Sequence, residues 1–379
     1  MIDYSLDEMA LIFLSHFEFM TFNRSEKILS LFDNPKDLLS ASKDDLQEIK
    51  QILKEYYDDF YNEYANLDIN NFCKKISDKN VSCLTRVSKG YPEKLTYLKN
   101  PPLVLYYYGN LDLLNTKSLA IVGTRNPSNY GKMITEKFAK EIAKNGVTII
   151  SGLAEGVDGI SHRATLEVEG NTIAVLGGGF DHLFPEINTD LARQIAKKGL
   201  VLTEYYMPIK ATKYTFPARN RIIAALSDLI LIPEAKAGSG SLYTKDFGDS
   251  VGVETFCIPG NITSENSYAT NNLIKCGEAG CATCPEDILM ELGIIANMPE
   301  NDRKNCKSSI KQSDGKLKSM NLTAAQAIIY NLLLDGEHDF DFLQEKTNYD
   351  TQTLNYNLTT MEISGIIKKL AGNMYTIAY

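Results

Sequence analysis

The residues best suited to chemistry in this chain are glycines, hydroxyls and arginines gathered in short runs, each run following an apolar stretch. Gly123-Thr124-Arg125-Asn126-Pro127 is the first, and Ser151-Gly152-Leu153-Ala154-Glu155-Gly156 the second. Gly177-Gly178-Gly179, Gly238-Ser239-Gly240-Ser241 and Pro259-Gly260-Asn261 follow in order. Glycine admits positive φ and lets backbone amides approach a ligand closely. Successive amides at a helix start form an anion-binding nest that the helix dipole reinforces. The guanidinium of Arg125 can grip a phosphate through its fork of donors. A further cluster, Phe216-Pro217-Ala218-Arg219-Asn220-Arg221, places Pro217 where a helix starts and two arginines in its first turn. Cations there oppose the helix dipole, so a nearby anion explains them better than helix stability does.

These runs need a scaffold that brings them together. Apolar stretches at 118–122, 147–150, 172–176, 200–203, 228–232 and 254–258 are mostly unbroken, as in strands buried on both faces, and amphipathic helices separate them. Such βαβ spacing predicts an α/β fold with a doubly wound parallel sheet, whose ligands bind beyond the carboxyl ends of the strands. The polar runs fall at those ends, so several loops converge on one phosphate-binding edge. A dinucleotide fits poorly. The first loop is not GxGxxG, and the second strand ends in Ser151-Gly152 without the acidic residue that holds ribose hydroxyls.

The flanks differ from this core. Residues 1–75 predict short helices, with Ser25, Asn34 and Ser42 as N-caps. Residues 76–296 hold the core and 297–318 a polar linker. Residues 319–379 predict three helices and a hairpin, a winged-helix-like domain whose presumptive recognition helix lacks lysine and arginine. The 379-residue chain is 44% hydrophobic and carries a net charge of −9. Split after residues 100 and 290, no segment has more Lys and Arg than Asp and Glu, so any polyanion must be held by placed cations and amides. The N-terminus lacks a signal-peptide pattern and no apolar run approaches a membrane span, which with seven cysteines predicts a cytoplasmic protein with free thiols.

Together the motifs GTRNPSNYG (123–131), SGLAEGVDGISHRATL (151–166), TIAVLGGGFDHLFPEIN (172–188), FPARNRIIAALS (216–227), EAKAGSGSLYT (234–244) and IPGNITSENSYATNNLIKCGE (258–278) resemble the DNA-processing protein A family, also called Smf. The resemblance runs in order over about 160 residues. It implies a Rossmann-like core that binds single-stranded DNA and loads the RecA recombinase onto it in natural transformation. It also implies a helical, SAM-like N-terminal domain, homodimers through the core, no cofactor and no catalysis. Arg125, with Gly123 and Thr124, matches the phosphate-contacting loop. Ser151, Gly152, Asn188, Arg219, Asn220, Arg221, Gly238, Ser239, Gly240 and Ser241 match positions lining the same groove, and Thr270, Asn271 and Asn272 match a later loop. Two departures remove cations. Glu186 stands where the family often has lysine, and Gly238 where it is often basic, so weaker or more salt-sensitive binding is expected, with Lys132, Lys213, Lys236 or Lys245 as compensators.

Other readings compete. A nucleoside-monophosphate hydrolase shares a GTR-type loop, but the run Pro233–Gly240 lacks that class's PGGxGTxxE pattern. His162 reads as a structural hydrogen-bonding residue and His182 as either a DNA contact or a loop brace. Phe184 reads as core-facing, with Phe180 open to base stacking. Cys276, Cys281 and Cys284 read as ordinary thiols and not as a zinc site, which would need Cys257 or Cys306 as a fourth ligand.

Overall fold

The computed structural model describes residues 4–295, 322–334, 336–370 and 372–378. The chain divides into two compact units, Met1–Ala296 and Asn297–Tyr379. The expected linker, 297–318, lies outside the described residues.

The first unit is built on strands β1 Ser82–Thr85, β2 Val104–Gly109, β3 Ser118–Ile121, β4 Thr148–Ser151, β5 Thr172–Val175, β6 Leu200–Thr203, β7 Leu229–Ile232, β8 Thr255–Cys257 and β9 Gly280–Cys281. Their order in the sheet is β1-β2-β6-β5-β4-β3-β7-β8-β9. From β6 to β9 every neighbouring pair is parallel, while β2 pairs antiparallel with both β1 and β6. The six expected strands are present. Three strands were not expected from the sequence: β1 and β2, which extend one edge as a hairpin-like addition, and the two-residue β9 at the other.

Helices α1 Leu6–Ser15, α2 Phe22–Leu29, α3 Lys43–Leu53, α4 Tyr57–Ala65 and α5 Ile69–Asp78 precede β1, and the short α6 Glu93–Thr96 follows it. Then α7 Asn129–Lys144 follows β3, α8 Val157–Glu167 follows β4, α9 Thr189–Lys198 follows β5, α10 Thr215–Leu226 follows β6 and α11 Ser241–Val251 follows β7. Last come α12 Tyr268–Lys275 after β8 and α13 Pro285–Glu291 after β9.

Alternation along the strands explains why their sequences are continuously apolar. Leu119 and Ile121 of β3 pack with Phe138 and Ile142 of α7, whereas Ala120 and neighbouring Val122 pack with Ile222 and Ile223 of α10. Leu229 and Leu231 of β7 share the first cluster, Ile230 and Ile232 the second. Successive side chains of a strand point to opposite faces, so covering both faces makes every position apolar. Phe138 and Ile142 are fully buried, each such side chain contributing about 1.5–3 kcal/mol.

The N-terminal helices continue this core. Residues Ala10 to Leu14 of α1 are all inaccessible to solvent. Leu11 and Ile12 pack with Cys83, Val104 and Tyr106 of β1 and β2, while Phe13 and Leu14 pack with Ile28, Ile49 and Phe60 of the helical segment. Ser42 caps α3 through a capping box, but Ser25 lies inside α2, which Thr21 caps instead. Asn34 precedes a 3₁₀ turn, Pro35–Ser40.

The second unit has helices Ala324–Leu334, Phe340–Thr347 and Thr351–Ile363 with a small antiparallel sheet. Its strands, β10 His338–Asp339, β11 Ile367–Lys369 and β12 Met374–Ile377, run in the order β10-β12-β11. Ile329, Leu343, Leu358 and Met361 fill its core together with Ile367 and Tyr375.

Candidate functional site

The sheet order reverses between β3 and β7, since the chain builds outward from β3 through β4, β5 and β6 and then returns to place β7 on the other side. At such a switch point the two strand-end loops diverge and leave a crevice. Here the loop after β3 and the loop after β7 enclose a groove of about 600 Å³, lined by Gly123, Thr124 and Arg125 on one side and by Gly238–Ser241 on the other. Lys213, Phe216 and Asn220 from the start of α10 close its end.

A buried carboxylate fixes the Arg125 loop. Glu234, 1% exposed, accepts from the Ser128 backbone N–H at 2.8 Å and the Ser128 hydroxyl at 2.6 Å. Its carbonyl accepts from the Thr124 N–H at 2.9 Å. Ser128 Oγ in turn accepts from Gly131 N–H and caps α7. The loop is thereby pinned at both ends, while the Arg125 side chain stays exposed and makes no ion pair among the described residues. Its guanidinium lies 5.5 Å from the centre of the Phe216 ring, within cation–π reach. Across the groove, Asn220 Nδ2 donates to the Gly240 carbonyl at 3.2 Å, and the Ser239 and Ser241 hydroxyls are 2.9 Å apart. Ser241 begins α11, so this loop brings a helix N-terminus to the groove, with the Ser239 N–H already given to the Lys236 carbonyl at 3.1 Å.

Arg219 also lines this groove, from its buried side. It is 4% exposed, and its Nη1 donates to the carbonyls of Gly152, at 2.6 Å, and Val175. Burial lowers its pKa to about 10, which still leaves it charged near neutrality. It is a strut joining the ends of β4 and β5 under the groove floor. Gly152 is required there, because a Cβ would lie 2.4 Å from Arg219 Nη2. The Gly152 N–H donates to Asp158 Oδ2 at 3.1 Å. Burial pushes the Asp158 carboxyl up, and the positive charges of Arg219 and Arg125 pull it back.

Five more expected residues lie off this groove. Arg221 is two residues beyond Arg219, about 200° round the helix, and pairs at 2.5 Å with Glu204 away from the groove. Ser151 is fully buried and donates to the Ile121 carbonyl at 2.6 Å, tying β4 to β3. Thr270 is buried, donating to the Ser267 carbonyl, and the Asn271 side-chain amide brackets the backbone of Gly260 at 3.1 and 3.0 Å. Asn188 is also buried, but functionally placed: its Nδ2 holds the Leu153 and Ala154 carbonyls while its Oδ1 accepts from Arg163 at 2.6 Å. Ser151, Thr270, Asn271 and Asn188 hold backbone groups of the loops and strand ends, and of these Asn188 lines the adjacent groove beside Arg125.

The aromatic assignment reverses. Phe184 is 52% exposed, with its ring 5.6 Å from Phe216, whereas Phe180 packs edge-on against Tyr108 at 4.6 Å. Both lie among short 3₁₀ turns, where no periodicity reveals which side chain turns inward. Phe184, Phe216 and Arg125 line one small recess beside the groove.

Of the four candidate compensating lysines, Lys213 faces the groove. Lys236 also lines it, paired with Glu265 at 3.2 Å on the surface. Lys245 is bound by Asp249 and Glu278 at 2.8 and 2.9 Å and is mostly buried. Lys132 lines an adjacent groove. Glu186 and His182 are exposed. His162 is fully buried, its Nδ1 2.6 Å from Thr172 Oγ1, and burial lowers its pKa to about 3, so it stays neutral. Among the described residues no three His, Cys, Asp or Glu side chains form a metal-binding group, and no helix is long and apolar enough to cross a membrane. Cys306 lies outside the described residues.

Comparison with known proteins places this geometry. A family model described as DNA recombination-mediator protein A matches residues 82–293. The DNA processing protein DprA of Bacillus subtilis strain 168 is 39% identical over 216 residues, covering 57% of this chain and 72% of that protein. The Streptococcus pneumoniae R6 protein of the same name is 41% identical over 201 residues, 53% of this chain and 71% of that protein. Among solved structures, DNA processing protein A from Streptococcus pneumoniae superposes with a TM-score of 0.64 at 32% identity, covering 76% of this chain and 99% of that one. A structure of the Helicobacter pylori protein, described for its single-stranded DNA binding mode, gives a TM-score of 0.51 at 34% identity over 56% of this chain and 95% of that one.

Proposed function

The chain belongs to the DNA recombination-mediator protein A family, and on that premise we propose that it binds single-stranded DNA in the groove between β3 and β7, by phosphate contacts and without catalysing a reaction on it. The observation that carries this reading is Arg125, an exposed guanidinium free of ion pairs among the described residues, standing on a loop pinned by the buried Glu234 at the sheet's switch point. Lys213, the hydroxyls of Ser239 and Ser241, and Asn220 supply further donors on the same groove. Phosphate contacts dominate nucleic-acid affinity and carry little sequence preference. Phe184, exposed beside Phe216, supplies a ring on which a base can stack.

In this reading residues 76–296 are the DNA-binding core, flanked by accessory domains at 1–75 and at 319–379, the latter a winged helix. The protein protects incoming DNA, acts in the cytoplasm as a homodimer through the core, and passes the strand to the RecA recombinase during natural transformation. The Helicobacter pylori relative supports the choice of single-stranded DNA. A nucleoside-monophosphate hydrolase is disfavoured because the run Pro233–Gly240 lacks the trailing glutamate of that class's motif, and Glu234 is buried against Ser128 and does not line the groove. The test is a titration of the purified protein with a short oligothymidine. Arg125→Ala should weaken binding at moderate salt; unchanged binding, or robust release of free base from nucleoside monophosphates, would reject the reading.

A further inference from the structure

The groove at the switch point does not end at Arg125. This arginine also lines a second groove of about 360 Å³, together with Lys132, Ile160 and Arg163. Arg163 and Ile187 in turn line both that groove and a third, of about 480 Å³, whose far wall carries Lys197 and Lys198. The three depressions thus share lining residues in sequence. Gly156, Ile160, Arg163 and Glu167 line the second and third, at spacings of four, three and four along α8 and its N-cap. That is one face of a helix, so the trough follows α8 for about 16 Å.

Two of the three acidic residues on this trough are already paired, Glu167 with Lys140 at 2.7 Å and Asp190 with Arg193 at 2.9 Å, and the third, Glu155, stands beside Arg125. The cations Lys132, Arg163, Lys197 and Lys198 make no ion pair among the described residues. Lys197 and Lys198 stand in the last turn of α9, where the helix dipole favours a cation, which explains their presence but not why they face Arg163 across a groove. Arg163 donates to Asn188, which holds the Leu153 and Ala154 carbonyls of the first groove's floor, so the two parts are mechanically joined. Ile187, 75% exposed, offers apolar surface between the cations where a sugar or base can rest.

We infer that single-stranded DNA leaving the switch-point groove crosses Arg125 and continues along α8 to Lys197 and Lys198, so that these residues form an outer binding segment for the same strand. The inference rests on the proposed function. A length of 16 Å takes at most about five phosphates at the spacing of a duplex strand, and fewer in an extended one.

The experiment compares the full-length protein with its Lys197→Gln/Lys198→Gln variant on oligothymidines of about 6 and about 20 nucleotides, across a salt series. Two lost phosphate contacts lower the salt slope for the longer strand by about 1.4 and its affinity at 0.1 M salt by about twentyfold. Binding of the short strand should not change, and Lys197→Arg/Lys198→Arg should bind both as the wild type does. Unchanged affinity for the longer strand overturns the inference. Equal losses for both lengths also overturn it, since the lysines would then act only as a general field. Wild-type protein that binds neither strand would instead sink the groove reading on which the inference depends.

Discussion

Replacing Arg219 by methionine should destabilise the protein before it affects any ligand. The change removes the donor of two buried carbonyls, Gly152 and Val175, and the positive charge that opposes burial of Asp158. Each orphaned buried acceptor costs about 1–3 kcal/mol, and breaking a buried charged arrangement by removing one member costs about 3–5 kcal/mol in all. For a unit of this size that corresponds to a Tm lower by about 5–8 °C. Thermal unfolding followed by circular dichroism reads this directly, with Arg125→Ala as the control. Arg125 is exposed, with its guanidinium over the Phe216 ring and a charge effect on Asp158 smaller than that of Arg219, so that variant should unfold within about 1 kcal/mol of the wild type. If Arg219→Met unfolded as the wild type does yet lost oligonucleotide binding, Arg219 would be a ligand contact and the strut assignment would be wrong.

Three further outcomes follow from the same geometry. Gly156 has φ of 77° and a Cβ there would meet the Thr124 carbonyl at 2.4 Å, so Gly156→Ala should cost about 2 kcal/mol or more in denaturant unfolding. Phe184→Ala should lower single-strand affinity by about 1–3 kcal/mol with little effect on Tm, whereas Phe180→Ala should lower Tm. His162 titrates far below its unfolded value because it is buried, so the unfolded chain takes up a proton that the folded one refuses. Its contribution to stability is full above about pH 6.5 and falls by about 1.4 kcal/mol per pH unit as pH drops toward 3, a slope that His162→Gln should remove from acid unfolding curves.

The central sheet was readable because strands covered on both faces are nearly continuous apolar runs, and β3 to β7 are buried at every position, with β8 part-exposed at Phe256. The added edge was not. Strands β1 and β2 lie either side of Pro92, Pro101 and Pro102, and β2 is half-exposed toward its end, so neither alternation nor a buried run stands out. At the site, the glycine runs and Arg125 were legible as types at strand ends. What spacing could not give was direction: Arg219 and Arg221 share one helical turn yet one supports the groove floor and the other pairs with Glu204. Asn188, Ser151 and Asn271 match groove positions by motif but act through backbone carbonyls and amides. The role of Glu234 was missed, although an acidic residue directly after a buried apolar strand is itself a signal, because a carboxylate there must find partners.

The most direct measurement is a salt-dependent titration of wild type and Arg125→Ala with an oligothymidine and with a duplex of equal length. Single-stranded DNA should bind more tightly than duplex, with affinity falling as salt rises, and Arg125→Ala should reduce the salt slope by about 0.7, the share of one phosphate contact. Equal affinity for duplex, or a slope unchanged by the loss of Arg125, would contradict a single-strand groove centred on the switch point.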